Sequence, residues 1–127
     1  MPDKFPSFEE FFNAIHGHPH FPWQCRLADQ VLSNGWPDLL DLPTGVGKTT
    51  SLDIALYCLA AKPKTNPRRV LIVVDRRVVV DQGAHHARRI LSAMATATTD
   101  GPARVVADKL RSLWSARGTQ APFAVAV

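Results

Sequence analysis

The stretch DLLDLPTGVGKTTSLDIALYCLAA, residues 38–61, decides how the rest of the chain is read. Its opening run, 38–42, is short and apolar in the manner of a buried strand. Residues 48–61 carry Leu52, Ala55, Leu56 and Leu59 at helical spacing, which predicts a helix with those four side chains on one face. A glycine-containing loop between a strand and a helix is a phosphate cradle. The backbone N–H groups of Thr44, Gly45, Val46, Gly47, Lys48, Thr49 and Thr50 can turn toward an anion at the positive end of the helix dipole. Lys48 supplies charge opposite the β and γ phosphates, and the Thr49 hydroxyl can ligate Mg²⁺. ATP with Mg²⁺ is the expected ligand. The full signature G-x-x-x-x-G-K-[ST] is met except at its first glycine, where Leu42 stands. The bland alternative is a glycine-rich turn capping an ordinary helix.

Composition bounds the possibilities. The chain has 127 residues, 46% hydrophobic and 20% charged, enough for one small globular domain. No apolar run approaches the length of a membrane span, and the N-terminus MPDKFPSFEEFF lacks the basic start and apolar centre of a signal peptide. A cytoplasmic location with no membrane partner is therefore expected. Cys25 and Cys58 stand far apart and outside any C-x-x-C pattern, which predicts reduced core thiols rather than a disulfide or a zinc site. Charge is unevenly spread: residues 1–60 hold three basic and seven acidic groups, and residues 61–127 hold twelve basic and four acidic. The basic excess includes the pairs Arg68–Arg69, Arg76–Arg77 and Arg88–Arg89, a distribution suited either to nucleic-acid phosphates or to a solvated helix face.

Local signals order the remaining elements. Ser7 with Glu10 makes a capping box, so a helix is expected from Phe8 to about His16, stopping at Gly17. Residues 23–34 read as a second helix with Leu27, Val31 and Leu32 inward, ended by Gly35. KPKTNP, 62–67, is a polar connection, and RVLIVVD, 69–75, a near-continuous apolar strand of the type buried in parallel sheets. Strand, helix and strand compose a right-handed crossover unit. A helix is expected over 78–94 despite its β-branched start and Gly83, then a loop, a helix over 104–116, and a final strand over 122–127. His16, His18 and His20 form an H-x-H-x-H run that could chelate a metal, but the intervening glycine and proline favour a turn.

These residues resemble the N-terminal part of the first RecA-like lobe of superfamily 2 helicases, most closely the CRISPR-associated helicase-nuclease of type I interference systems, subtype U or G. The resemblance runs through FEEFFNAIHG (8–17), FPWQCRLADQV (21–31), GWPDLLDLPTGVGKTTSLDIALYCLA (35–60) and RRVLIVVDRRVVVDQ (68–82). PTGVGKT matches that branch's form of the phosphate loop, which accommodates Leu42. FPWQ looks like the Q motif and implies Gln24 on the adenine edge. VVDRRVVVDQ resembles motif Ia, a strand-end loop that meets single-stranded DNA, and implies DNA contacts from Arg76, Arg77 and Gln82. The order and spacing of these matches around the phosphate loop make the combination specific. The resemblance implies an α/β fold, a partial P-loop lobe with a parallel sheet and flanking helices. It divides the chain into N-terminal helices over 1–36 and an incomplete ATP-binding lobe over 37–127. It further implies an RNA-guided CRISPR surveillance complex as a recruiting partner.

The departures are equally informative. Nothing in the chain reads D-E-x-H or D-E-x-D, the carboxylate motif that holds Mg²⁺ and activates water in such enzymes, and no His-Asp dipeptide of the family's nuclease half is present. A last strand that stops at Val127 without a cap suggests a fragment. Asp75 and Asp81, near a strand end, are candidate substitutes for those carboxylates, but the resemblance places their segment on the DNA side rather than the nucleotide side. The expected function is thus ATP binding, with Lys48 and Thr49 as the catalytic-loop residues and little turnover by the chain alone. The alternatives are a P-loop ATPase of another superfamily and a non-catalytic nucleotide- or nucleic-acid-binding module.

Overall fold

Helix α1 (Phe8–His16) starts where the sequence places its cap. The Ser7 hydroxyl accepts from the Glu10 N–H, and the Glu10 carboxylate accepts from the Ser7 N–H, both at 3.2 Å. It stops at Gly17, whose φ of 73° is left-handed and whose N–H donates to the Asn13 carbonyl. Helix α2 (Pro22–Asn34) begins with proline, whose fixed φ and missing N–H suit a first helical position, and ends at Gly35 with φ 89°. Helices α3 (Ser51–Ala61), α4 (Arg77–Ala95) and α5 (Pro102–Leu113) complete the order. The structure, a computed structural model, describes residues 5–17, 22–37, 51–67, 77–97 and 101–113, with the backbone alone at 77–80.

Among the described residues all five elements are helices, and they bury one another. This corrects the expected α/β lobe with a parallel sheet. A lobe of that kind covers a sheet with its helices. Here α1, α2 and α5 pack on α3, α4 packs on α5 and α1, and the core is drawn from helix side chains. The physical reason lies in α3. Its expected one-sided stripe of Leu52, Ala55, Leu56 and Leu59 is instead an almost complete apolar circumference. Ile54, Leu56, Tyr57, Cys58, Leu59 and Ala60 are all buried, whereas Leu52 and Ala55 are only half-buried. A helix apolar on every side belongs inside a bundle. The runs expected as strands, 38–42, 69–75 and 122–127, lie outside the described residues. The helix expected over 78–94 is present as α4. The one expected over 104–116 starts earlier, at Pro102, and is described to Leu113.

α1 and α3 run antiparallel. Near one end of the pair the Tyr57 hydroxyl donates to the Pro6 carbonyl at 2.6 Å, and near the other His16 meets Asp53. Phe5, Phe8 and Phe11 surround the Tyr57 ring with centroids at 5.5, 5.5 and 5.9 Å, the Phe8 contact edge-on at 78°. Beyond α3, the Asn66 amide donates to the carbonyls of Cys58 and Lys62, adding a side-chain bond to each beside the backbone bonds from Lys62 and Thr65. The Lys62 ammonium donates to the Leu32 carbonyl and so ties down the last turn of α2. One core therefore draws on residues from both sides of position 36. No described helix is long and apolar enough to cross a membrane.

Candidate functional site

The residues expected to hold phosphate, Thr44, Gly45, Val46, Gly47, Lys48, Thr49 and Thr50, lie outside the described residues, as do Arg76, His18 and His20. What the structure describes is the helix these loop residues lead into. α3 is described from Ser51, directly after the loop sequence. Gln24 sits in α2 and is fully buried. Arg77 and Gln82 both lie in α4, and Gln82 is exposed. Asp81 is exposed on the same helix, as are Arg88 and Arg89; Asp75 lies outside the described residues.

The structure gathers a different set of side chains. Asp53, in the first turn of α3, is fully buried. His16 from the end of α1 places Nε2 at 3.1 Å from Asp53 Oδ2, and His86 from the middle of α4 places its Nε2 at 3.2 Å from the same oxygen. The His16 side chain is 4% exposed and that of His86 is 17% exposed, so the cluster sits just beneath the surface. The two imidazole rings stack at 5.3 Å and 14°, and Phe12 packs on His16 at 4.5 Å. Asp53 Oδ1 is buried with no hydrogen-bond partner among the described residues. An ionised carboxylate in this position loses its hydration, and only one of its two oxygens is compensated. The α3 dipole favours the charge at a first-turn position without satisfying Oδ1.

The sequence offered one sign of this cluster. Asp53 is the single charged residue in the otherwise apolar SLDIALYCLAA. Its partners are 37 and 33 residues away, beyond the reach of any spacing rule. The H-x-H-x-H run drew attention to His16 for its neighbours His18 and His20, whereas the described partners of His16 are Asp53 and His86.

The cysteines are free thiols in different settings. Cys58 is a core thiol, as expected, and burial pushes it up to about 12. Cys25 is only half-buried; burial, together with its bond to the Glu9 carboxylate, raises it to about 11. Burial likewise raises the Tyr57 phenol to about 12. A cleft of about 580 Å³ opens at the opposite end of α1 and α3 from Asp53, lined by Phe5, Glu10, Leu32, Tyr57, Lys62 and Pro102 among others. It brings together one acidic and one basic side chain on a largely apolar wall. No protein-family model, no curated protein and no solved structure matches the chain.

Proposed function

We propose that the chain binds ATP with Mg²⁺ through residues 43–50, as the nucleotide-holding part of a cytoplasmic ATP-dependent DNA translocase of the type I CRISPR interference kind. The observation that carries this reading is PTGVGKTT directly ahead of the helix described over Ser51–Ala61. Backbone N–H groups from Thr44 to Thr50 cradle the phosphates, Lys48 neutralises the β and γ groups, and Thr49 ligates Mg²⁺. Gln24 selects the base, and Arg76, Arg77 and Gln82 meet single-stranded DNA. An RNA-guided surveillance complex recruits the assembly.

Phosphoryl transfer depends on positioned charge from metal, lysine, arginine finger and an oriented water. The 127 residues contain no D-E-x-H or D-E-x-D to place that water, so this chain by itself holds ATP and does not turn it over. The same observation supports a second reading, a nucleotide-binding module with no hydrolytic role.

Calorimetry with a non-hydrolysable ATP analogue tests the binding step. Lys48→Ala should weaken affinity by more than ~10-fold, because a lone ammonium opposite two phosphates makes strong charge-assisted bonds. Unchanged affinity would remove the phosphate-loop assignment. In the same titrations ATP should outcompete GTP, and Gln24→Ala should erase that preference; equal competition in the unmutated chain takes Gln24 out of the site.

A further inference from the structure

We propose that His16, Asp53 and His86 form a three-donor site for a divalent first-row transition-metal ion, with Zn²⁺ the best fit, that clamps α1, α3 and α4 together. The proposal is independent of the nucleotide reading, and the ion is distinct from the Mg²⁺ of the phosphate loop.

The donor set comes first. Two imidazole nitrogens and one carboxylate oxygen suit borderline ions such as Zn²⁺, whereas Mg²⁺ and Ca²⁺ prefer all-oxygen shells. The geometry agrees. One ligand atom from each of the three residues lies within 4.8 Å of the others, and the two nitrogen–oxygen separations are 3.1 and 3.2 Å. Metal–ligand bonds of ~2.0–2.1 Å give donor–donor edges of ~3.3 Å in a tetrahedron and ~2.9 Å in an octahedron, which bracket the observed values. Both carboxylate–imidazole edges therefore already have the length of a coordination-shell edge.

Burial supplies an independent argument. Asp53 is fully buried, and its Oδ1 lacks a partner among the described residues although both imidazoles crowd onto Oδ2. Hydrogen bonding alone leaves that carboxylate half-compensated. A cation beside it offsets the charge and gives the second oxygen something to face. The donors are also held in place. His16 is packed between Phe12 and the parallel ring of His86, and each donor rides on a different helix of one core. Three protein ligands leave a coordination position for water, and the partial exposure of His86 provides the side from which ion and water enter.

The experiment uses the full chain, stripped with a chelator and dialysed. Zn²⁺ is titrated in competition with a chromophoric chelator, and Co²⁺ is added separately to read its visible absorption. One ion should bind per chain, undisplaced by millimolar Mg²⁺. His86→Gln and Asp53→Asn should each weaken Zn²⁺ by ~100-fold or more and abolish the Co²⁺ bands, since even outer-shell partners are worth 10- to 100-fold. His85→Gln, one position along on an exposed side chain, and His18→Gln should leave both readouts unchanged. Circular dichroism checks helicity throughout; should Asp53→Asn lose it, the partly exposed His86→Gln decides. Failure to bind a stoichiometric ion overturns the proposal. So does binding that survives His86→Gln, or binding that follows His18 or His20 in place of Asp53 and His86.

Discussion

Toward its C-terminal end α3 presents the Tyr57 phenol and the Cys58 carbonyl to the core, and each has a partner: Pro6 for the hydroxyl, the Asn66 amide for the carbonyl. In its first turn it presents Asp53, buried as deeply, with two imidazoles on one oxygen and none on the other. One helix, in one core, thus carries a neutral end whose polar groups are matched and a charged end whose acceptor is not. Matched buried groups stabilise a fold, whereas an unmatched charge is kept at the cost of stability for what it can hold. The contrast sets a Tyr57 end whose polar groups are matched against an Asp53 end that is the candidate site.

The largest expected effect breaks the scaffold end. Phe11 is fully buried against Tyr57, so Phe11→Ala should cost ~3–5 kcal/mol, the loss of an aromatic side chain plus the cavity it leaves. Denaturant unfolding measures it. A cost below ~1 kcal/mol would mean that this end is loosely packed and the contrast false.

Tyr57→Phe is the intermediate case. It leaves the ring and removes only the donor to the buried Pro6 carbonyl, with an expected loss of ~1–3 kcal/mol. It should also alter the alkaline limb. The phenol and the Cys58 thiol are both raised to about 12 in the fold, from ordinary values of 10.0 and 9.0. Below pH 9 both are protonated whether folded or unfolded, and their contribution is fully present. Above it the unfolded chain releases protons that the folded chain retains, so stability falls as pH rises toward about 12. Thermal melts across this range should show a decline that Tyr57→Phe makes shallower above pH 10. An identical slope in the variant would show that the phenol does not ionise differently on unfolding.

The smallest expected effect sharpens the comparison. In chelator-treated protein Asp53→Asn keeps the shape and one oxygen that can accept from an imidazole while removing the unpartnered carboxylate oxygen, so stability should change by about 1 kcal/mol in either direction. A loss as large as that of Phe11→Ala would make Asp53 a scaffold residue too, and the two ends of α3 equivalent.

The boundaries of α1 and α2 were legible because their signals are local: a capping box three residues wide and glycines that alone adopt positive φ cheaply. Fold class was not. It rested on apolar runs such as 69–75, and a short apolar run does not by periodicity alone distinguish a buried strand from other buried segments. The environment of α3 was misread for a related reason. A four-residue stripe can be picked out of SLDIALYCLAA, but the residues between its members are apolar as well, and only the packing shows that they are buried too. The grouping of His16, Asp53 and His86 depends on three helices converging, which no window of sequence contains. Lys48 and its loop remain legible as chemistry, since that signal is a motif and not a fold.

The antiparallel pairing of α1 with α3 has a mechanical consequence. The segment is fastened near both extremities, by Tyr57 to Pro6 at one and by His16 to Asp53 at the other, with phenylalanine side chains filling the span between. A rod bolted at two points cannot pivot about either. A tilt imposed on the first turn of α3 therefore has to strain contacts at both ends of α1, and the pair resists it together.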